Sequence, residues 1–269
     1  MNIFEVIPPA GAPVPIVLSV PHCGTWFPPD LRSEFVAEKS EAPDDTDWFV
    51  HKLYDFAPAM GITMIYAKVS RWVIDLNRDP ESKPLYNDGR VITALCPTTD
   101  FLGTPIYKDQ RGEVLSQEVH RRLQLYYWPY HRALQQQLDQ LHQRFGEVLL
   151  WDCHSIRQHV PSIRHEKFPD LILGDADGIA AAGRITETTL AVLRKGSYSV
   201  SHNHPFKGGY ITRSFGKPHH HRHALQLEMT KVNYMDNAEL SYDDGRADRM
   251  RSLLKSVFEE LIKSIHDRA

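Results

Sequence analysis

Residues 15–24 read PIVLSVPHCG, and residues 148–155 read VLLWDCHS. In both stretches an apolar, β-branched run leads directly into a polar segment that contains one histidine, His22 in the first and His154 in the second. Short runs of this kind are typical of buried strands. In open α/β sheets, ligands bind at the carboxyl ends of the strands. The sequence therefore predicts two strands whose carboxyl ends carry histidines that could converge.

Strand-like and helix-like segments alternate along the chain. Strands are predicted at Pro15 to Val20, Ile62 to Val69, Val73 to Leu76, Val148 to Trp151, Leu171 to Leu173, Tyr198 to Ser201 and His223 to Met229. Helices are predicted at Thr46 to Met60, Glu113 to Phe145, Ile179 to Leu193 and a C-terminal segment whose apolar face runs from Met250 to Ile265. Pro129 is expected to kink or split the long middle helix. The pattern predicts one domain, residues 1–269, with an α/β fold around a largely parallel or mixed sheet.

The composition argues against two classes of partner. The chain has 269 residues, a net charge of −3 and a pI near 6.6, and its lysines and arginines are scattered. We therefore expect neither nucleic acid nor a membrane surface as a partner. No window approaches the roughly 18 apolar residues of a membrane-spanning helix, and no basic leader begins the sequence. The three cysteines are too few for a disulfide framework, so we expect a cytoplasmic protein.

The two histidines indicate a metal site if a third ligand lies nearby. The chain has 15 histidines, and neutral imidazole is the commonest protein ligand for metals. A catalytic divalent site often combines two histidines with one carboxylate and leaves a position open for water. The nearest acidic cluster is Asp44-Asp45-Thr46-Asp47, although at least one of these carboxylates is expected to cap the helix that follows.

Two other segments carry polar side chains that suit an acidic substrate. Arg71 and Arg78 bracket an apolar stretch that Asp75 interrupts. A guanidinium group recognises carboxylates through paired hydrogen bonds, but an ion pair with Asp75 that only fixes the loop is an equal alternative. Glu228 lies on the polar face of a predicted strand. It is either a solvent-exposed residue of an edge strand or a carboxylate that burial turns into a general base.

Two loops complete the set of candidates. The segment Ser201 to Arg213 joins polar side chains to a double glycine, which suits a loop that closes over a ligand. Lys207 and Arg213 are its candidate anion contacts, although many surface loops share this composition. The histidine-rich run from His219 to His223 has no accompanying carboxylates and is expected to be solvated.

Seven motifs occur in a fixed order between about Pro15 and Tyr234. They are PHCGTWFP, DDTDW, SRWVIDLNRDP, the KPLY run ending at Tyr86, LLWDCHSIR, FKGGYITR and HALQLEM. In this order they resemble the N-formylglutamate amidohydrolase family. The resemblance implies a single-domain α/β fold of the phosphorylase/hydrolase-like type, similar to zinc-dependent exopeptidases, with a mixed, mostly parallel central sheet and helices on both faces. It also implies hydrolysis of N-formyl-L-glutamate to formate and L-glutamate, the last step of a histidine degradation pathway.

The resemblance further implies one divalent metal ion, usually zinc. His22 and His154 match the family's two ligand histidines. The carboxylate ligand is assigned to Asp47, with Asp45 as the alternative, because no acidic residue occurs between His22 and Asp30.

Catalytic and substrate-binding roles follow from the same resemblance. Glu228 matches the general base. Arg71, Asn77 and Arg78 match the family's substrate-carboxylate anchors. In the reaction that this implies, Arg71 is expected to stabilise the oxyanion, while Asn77, Arg78 and Arg213 hold the two carboxylates of the glutamate.

Three alternatives stay open at this point. A cysteine hydrolase could use Cys23 or Cys153, each of which adjoins a histidine, but neighbours on a strand point to opposite faces. A non-catalytic binder of acidic metabolites could use the same arginines. A metal-dependent deacylase could act on another N-acyl amino acid.

Overall fold

The computed structural model describes residues 2–83 and 94–266, in which seven strands form one sheet. The strands are β1 (Phe4–Ile7), β2 (Ile16–Val20), β3 (Thr63–Ala67), β4 (Val148–Ile156), β5 (Leu171–Gly174), β6 (Val200–His202) and β7 (Arg222–Thr230). They lie in the order β1-β3-β2-β4-β7-β5-β6. Four of the six pairings are parallel, whereas β1–β3 and β5–β7 are antiparallel. The predicted mixed, mostly parallel sheet is confirmed.

Helices cover both faces of this sheet. They are α1 (Pro29–Arg32), α2 (Ala37–Glu41), α3 (Val50–Leu53), α4 (Ser116–Arg122), α5 (Trp128–Phe145), α6 (Gly183–Leu193), α7 (Tyr210–Phe215) and α8 (Asp244–His266). Helices α3, α6 and α8 share one hydrophobic core, and α5 belongs to a second core on the opposite face. Within the described residues, no helix is long and apolar enough to cross a membrane.

Alternation along β4 divides its side chains between the two cores. Leu149 and Trp151 belong to the core that contains α8, whereas Leu150 belongs to the core that contains α5. Because successive side chains of a strand point to opposite faces, Asp152 and His154 share the face of Leu150. The predicted strand at Val148 to Trp151 is therefore present but too short. Full pairing of β4 with β7 extends it to Ile156, so His154 lies inside the strand.

The predicted strand at Val73 to Leu76 is wrong, because this segment forms consecutive turns. The Asp75 carboxylate accepts a hydrogen bond from the backbone N–H of Asn77 at 2.9 Å, a local bond that bends the chain. The Asp75 backbone N–H donates to the carbonyl of Leu95 at 2.8 Å. The segment therefore packs as a loop beside the ends of the strands.

Two helix predictions also change in detail. The helix predicted at Thr46 to Met60 reduces to α3 and a 3₁₀ turn at Ala57–Met60. The long middle helix is split, as expected from Pro129, into α4, a π-helical turn at Leu123–Tyr127 and α5. The apolar face of α8 is buried as predicted. Strand β1 was not predicted, and residues 84–86 of the KPLY motif lie outside the described residues.

His131 joins α5 to the turn segment that contains Asp75 and Leu76. Its Nε2 donates to the carbonyl of Leu76 at 2.8 Å, and its ring stacks on Tyr127 with 4.1 Å between centroids. Burial lowers the pKa of His131 from 6.5 to about 4, although the Leu76 carbonyl and Asp152 oppose the shift. The folded protein therefore keeps this imidazole neutral at a pH where an unfolded chain takes up a proton.

We predict that His131 makes the fold sensitive to acid. Its contribution to stability is complete above pH 6.5 and is lost as the pH falls from 6.5 towards 4. Replacing it by Gln should reduce the change in unfolding free energy between pH 7 and pH 5 by about 2 kcal/mol, measured by urea denaturation. The matched control is His120→Gln, since His120 is exposed on α4. An equal pH dependence in wild type and His131→Gln would contradict the prediction.

Candidate active site

A cavity of about 600 Å³ lies at the carboxyl ends of β2, β4 and β7. This volume falls within the range of small-molecule sites. Of the eight site residues expected from the sequence, seven line it, namely His22, Asp47, Arg71, Asn77, Arg78, His154 and Glu228.

Three buried side chains converge in this cavity. His22 follows β2, Asp47 lies in the loop before α3, and His154 belongs to β4. The Asp47 Oδ2 atom lies 3.1 Å from His154 Nδ1 and 3.8 Å from His22 Nδ1. One ligand atom from each residue lies within 4.8 Å of the others, and the described residues contain no second group of this kind.

Two carboxylates behind the histidines orient the imidazole rings. His22 Nε2 lies 2.8 Å from Asp75 Oδ1, and His154 Nε2 lies 2.8 Å from Asp152 Oδ2. When these nitrogens donate their protons, Nδ1 of each ring presents a lone pair to the cavity. The buried Nδ1 of His22 has no hydrogen-bond partner among the described residues. An unpaired nitrogen beside a carboxylate and a second imidazole fits a divalent cation.

The two histidines of the cluster differ in their affinity for a proton. Burial opposes a charged His154 ring, but Asp152 and Asp47 raise its pKa well above 6.5. Burial lowers the pKa of His22, and the charge of Arg71 lowers it further. Burial would raise the pKa of Asp47, but the hydrogen bond with His154 brings it below 3.8. A metal ion bound here would take the place of the proton that His154 holds beside the Asp47 carboxylate.

Asp47 rather than Asp45 contacts the histidines. The Asp45 carboxylate accepts hydrogen bonds from Trp72 Nε1 at 2.9 Å and from the backbone N–H of Phe101 at 3.1 Å. Helix α3 has no side-chain cap. The expectation that the acidic cluster caps this helix is therefore wrong, because its carboxylates bind other partners.

The buried carboxylate of Asp75 links the histidine side of the cavity to the arginines. Its Oδ2 accepts hydrogen bonds from Arg71 Nη2 at 2.8 Å and from Arg78 Nη2 at 3.4 Å. The ion pair considered from the sequence is thus present, yet both arginines also line the cavity. The two interpretations are compatible, because a guanidinium group has five N–H donors.

The Asn77 amide binds other protein groups. Its Nδ2 donates to Asp152 Oδ2 at 3.0 Å, and its Oδ1 accepts from the backbone N–H of Ile211 at 2.7 Å. Gly209 packs so closely on this amide that a Cβ at that position would lie 2.4 Å from Nδ2. Asn77 therefore joins β4 to the start of α7, and its contact with a substrate stays a prediction.

Glu228 lies opposite His154 in the register of β4 and β7, and both side chains line the cavity. Strand β7 lies between β4 and β5, so the alternative of a solvent-exposed edge residue does not hold. Burial raises the pKa of Glu228 to about 8, although the charge of His154 opposes the shift. A carboxyl group with a pKa in this range suits both proton uptake and proton release near neutral pH.

Arg213 and Lys207 are not among the described residues that line the cavity. Arg213 Nε donates to the carbonyl of Gly208 at 3.0 Å, and Lys207 pairs with Asp177 at 2.8 Å. Their roles as anion contacts stay predictions. His219 to His221 are exposed, as expected, but the prediction is wrong for His223, which is buried with its Nε2 2.6 Å from Glu147 Oε1.

The cysteines are free and buried. The Cys23 thiol donates to the carbonyls of Val20 and Ala67, and Cys153 lies in the core on the face of β4 opposite His154. Burial raises the pKa of both thiols. Neither is paired with an imidazole as a nucleophile requires, which argues against the cysteine hydrolase.

Sequence reasoning missed the role of Asp75 and Asp152 in orienting the histidines. The spacing Asp-x-His in a strand was a usable signal for Asp152, because residues two apart share a face. No comparable signal existed for Asp75, which meets His22 across 53 positions of the chain.

Several known proteins similar to this chain carry descriptions that name N-formylglutamate. A family profile described as N-formylglutamate amidohydrolase matches residues 14–235. Two proteins described as N-formylglutamate deformylase, from Pseudomonas aeruginosa and Pseudomonas putida, are each 39% identical over 252 residues. These matches cover 93% of this chain and 93% and 92% of the relatives. A crystal structure described as N-formylglutamate amidohydrolase from Ralstonia eutropha JMP134 aligns over 100% of both chains, with a TM-score of 0.83 and 27% identity.

We predict that His22→Ala and His154→Ala lower the metal content of the purified protein. Each change deletes one of three ligand groups, so we expect less than about a tenth of the metal to remain after dialysis against a weak chelator. Elemental analysis measures the metal, and circular dichroism checks the fold. Glu228→Gln is the matched control, because this residue lines the same cavity without belonging to the ligand group, and it should keep its metal. Full metal content in both alanine variants would rule out the site.

Proposed function

The chain belongs to the N-formylglutamate amidohydrolase family, and we propose that it hydrolyses N-formyl-L-glutamate to formate and L-glutamate with one bound zinc ion. The proposal rests on one observation, namely that a set of metal-ligating side chains and two cationic side chains line the same cavity. His22, Asp47 and His154 form a ligand set, and Arg71 and Arg78 supply cationic groups beside it. A divalent metal and an acidic amide substrate suit such a cavity.

The proposed metal fits the groups that would hold it. His22 and His154 would bind through Nδ1 and Asp47 through a carboxylate oxygen, a donor set typical of catalytic zinc. A bound zinc ion supplies Lewis acidity, which makes water nucleophilic near neutral pH and polarises a carbonyl group. Asp75 and Asp152 hold the imidazole rings in the orientation that this binding requires.

Glu228 moves the proton in the proposed reaction. It accepts a proton from the attacking water and transfers it to the amine of the departing glutamate. Its position opposite His154 and within the cavity supports this role. Water oxygen bonds to the formyl carbon, the C–N bond breaks, and the products are formate and L-glutamate.

The arginines orient the substrate. Arg71 stabilises the negative charge that develops on the formyl oxygen, and Arg78 binds a glutamate carboxylate. Asp75 holds both guanidinium groups, so they need little reorganisation when the substrate arrives. Asn77 and Arg213 are the other two predicted anchors for the glutamate carboxylates. Asn77 lines the cavity, whereas Arg213 is not among its described lining residues.

We also propose a place for this reaction in the cell. Removal of formate from N-formyl-L-glutamate is the last step of a histidine degradation pathway, and the relatives described as deformylases are bacterial proteins. Three buried free thiols are consistent with the reducing cytoplasm.

The deciding experiment measures formate release from N-formyl-L-glutamate. We expect metal-replete protein to be active, chelated protein to be inactive, and added zinc to restore turnover. Glu228→Gln should lower kcat at least about a hundredfold while retaining metal, because it keeps the shape but loses the base. A non-catalytic binder would bind the substrate without releasing formate. Undiminished formate release by chelated protein would exclude the metal mechanism.

A second prediction concerns substrate anchoring. Arg78→Lys keeps the positive charge but loses the planar fork, so KM should rise about tenfold or more with a smaller change in kcat. Lys108→Arg, at an exposed position outside the cavity, is a control for the exchange of the two cations. Steady-state formate release measures both constants, and an unchanged KM in folded Arg78→Lys would remove Arg78 from the site.

A further inference from the structure

The active-site cavity combines two kinds of lining. Arg71 and Arg78 are the only lysine or arginine side chains among its described lining residues, and both bind Asp75, which also contacts His22. Apolar side chains line it as well, together with polar ones such as Asp100 and Ser162. We call the apolar residues the apolar wall; they are Phe101, Leu102, Ile156, Ile163 and Phe206.

A separate hydrophobic cluster supports the apolar wall. Ile156 belongs to this cluster, and Phe101, Ile163 and Phe206 pack against it. The ring of Phe206 stacks on the buried Phe168 with 5.4 Å between centroids. The cluster is distinct from the two cores that flank the sheet. Four of the five wall residues therefore belong to a packed cluster, whereas Leu102 is exposed.

The apolar wall begins beside the ligand group. Ile156 follows His154 on the same face of β4, about 7 Å farther along the strand. At Phe101 the wall also meets the arginines, because the guanidinium group of Arg71 lies over its ring, 4.8 Å from the centroid. The wall is therefore within reach of the reaction centre.

The carbonyl carbon of the scissile amide carries, besides its oxygen, the glutamate nitrogen and one further substituent. The nitrogen lies towards the arginines when Arg78 binds a glutamate carboxylate. The further substituent points away from the nitrogen, and Ile156, close to His154, is an apolar side chain that it can meet. In a formyl group this substituent is only a hydrogen atom, which makes little use of an apolar lining.

We propose that the apolar wall binds acyl chains, so that the protein also hydrolyses N-acyl-L-glutamates with linear aliphatic acyl groups. This inference rests on the proposed function, because it uses the same metal site, base and arginines. The amide C–N bond breaks, the water oxygen bonds to the acyl carbon, and one water proton passes through Glu228 to the amine. The products are an aliphatic carboxylate and L-glutamate, and no other reactant is needed.

The test compares a series of substrates on the zinc-loaded protein. L-Glutamate release is measured with N-formyl-, N-acetyl-, N-butanoyl- and N-hexanoyl-L-glutamate. The formyl compound is a separate reference, because its carbonyl carbon is less hindered and more electrophilic. From acetyl to hexanoyl, kcat/KM should rise about two- to fourfold for each added methylene group that reaches the wall. A flat or falling series, with the formyl compound still cleaved, overturns the proposal.

Matched substitutions test whether the acyl chain contacts the apolar wall. Leu102 and Leu240 are both exposed leucines, 60% and 70% accessible, and only Leu102 lines the cavity. Leu102→Gln should lower the ratio of kcat/KM for the hexanoyl compound to that for the formyl compound at least threefold. Leu240→Gln should leave both constants unchanged. Ile163→Asn is a second variant at the wall, expected to lower the same ratio. Unchanged ratios in both wall variants contradict the proposed binding place.

Two further outcomes separate this inference from its rivals. If N-formyl-L-leucine is cleaved faster than N-formyl-L-glutamate, the wall holds the side chain of the amino acid and the proposal is wrong. If no N-acyl-L-glutamate releases glutamate, including the formyl compound, the proposed function itself fails. Cleavage of the formyl compound alone leaves that function standing and removes only the acyl-chain activity.

Discussion

The candidate site depends on one buried carboxylate, that of Asp75. This side chain is fully buried and contacts His22, Arg71 and Arg78, while its own backbone segment is turned by a bond to Asn77. Burial opposes its negative charge, but His22 and the two guanidinium groups hold its pKa well below 3.8. A single negative charge thus orients His22, a candidate metal ligand, and positions two cationic side chains. Loss of this carboxylate would remove the partner that Arg71 and Arg78 share and leave their buried positive charge with less compensation, which is costly in a protein interior.

The pairing of β4 with β7 is the second constraint. Nine residue pairs run in parallel register from Val148 opposite Arg222 to Ile156 opposite Thr230, and one of them places His154 opposite Glu228. A shift by one residue would turn the side chains of β7 to the other face and bury Glu228 in the core with α8. Apolar side chains on both faces of these strands fix the register. The position of the proposed base is therefore a consequence of core packing.

Periodicity predicted most of the fold because core strands and amphipathic helices leave regular patterns. It placed β2, β7 and α8 closely, whereas the residues of the ligand group followed from the strand ends and from the motif resemblance. It failed where local polar contacts override propensity, as in the turns around Asp75. It also could not decide between Asp45 and Asp47, because only the folded loop shows which carboxylate faces the histidines. The sequence also assigned Arg213 to the substrate, but this side chain is not among the described cavity-lining residues. A motif does not show where a side chain points.

The order of the strands affects the tendency of the protein to associate with other copies of itself. The strands at the two margins of the sheet, β1 and β6, have four and three residues. A margin of this length exposes few unpaired backbone groups, so it is a poor template for a strand from another chain. At the β1 margin the side chain of Glu5 also binds Lys68 and Tyr66, which keeps charge beside the exposed backbone. The long, apolar strands that build the site lie in the interior of the sheet, where they are protected from aggregation.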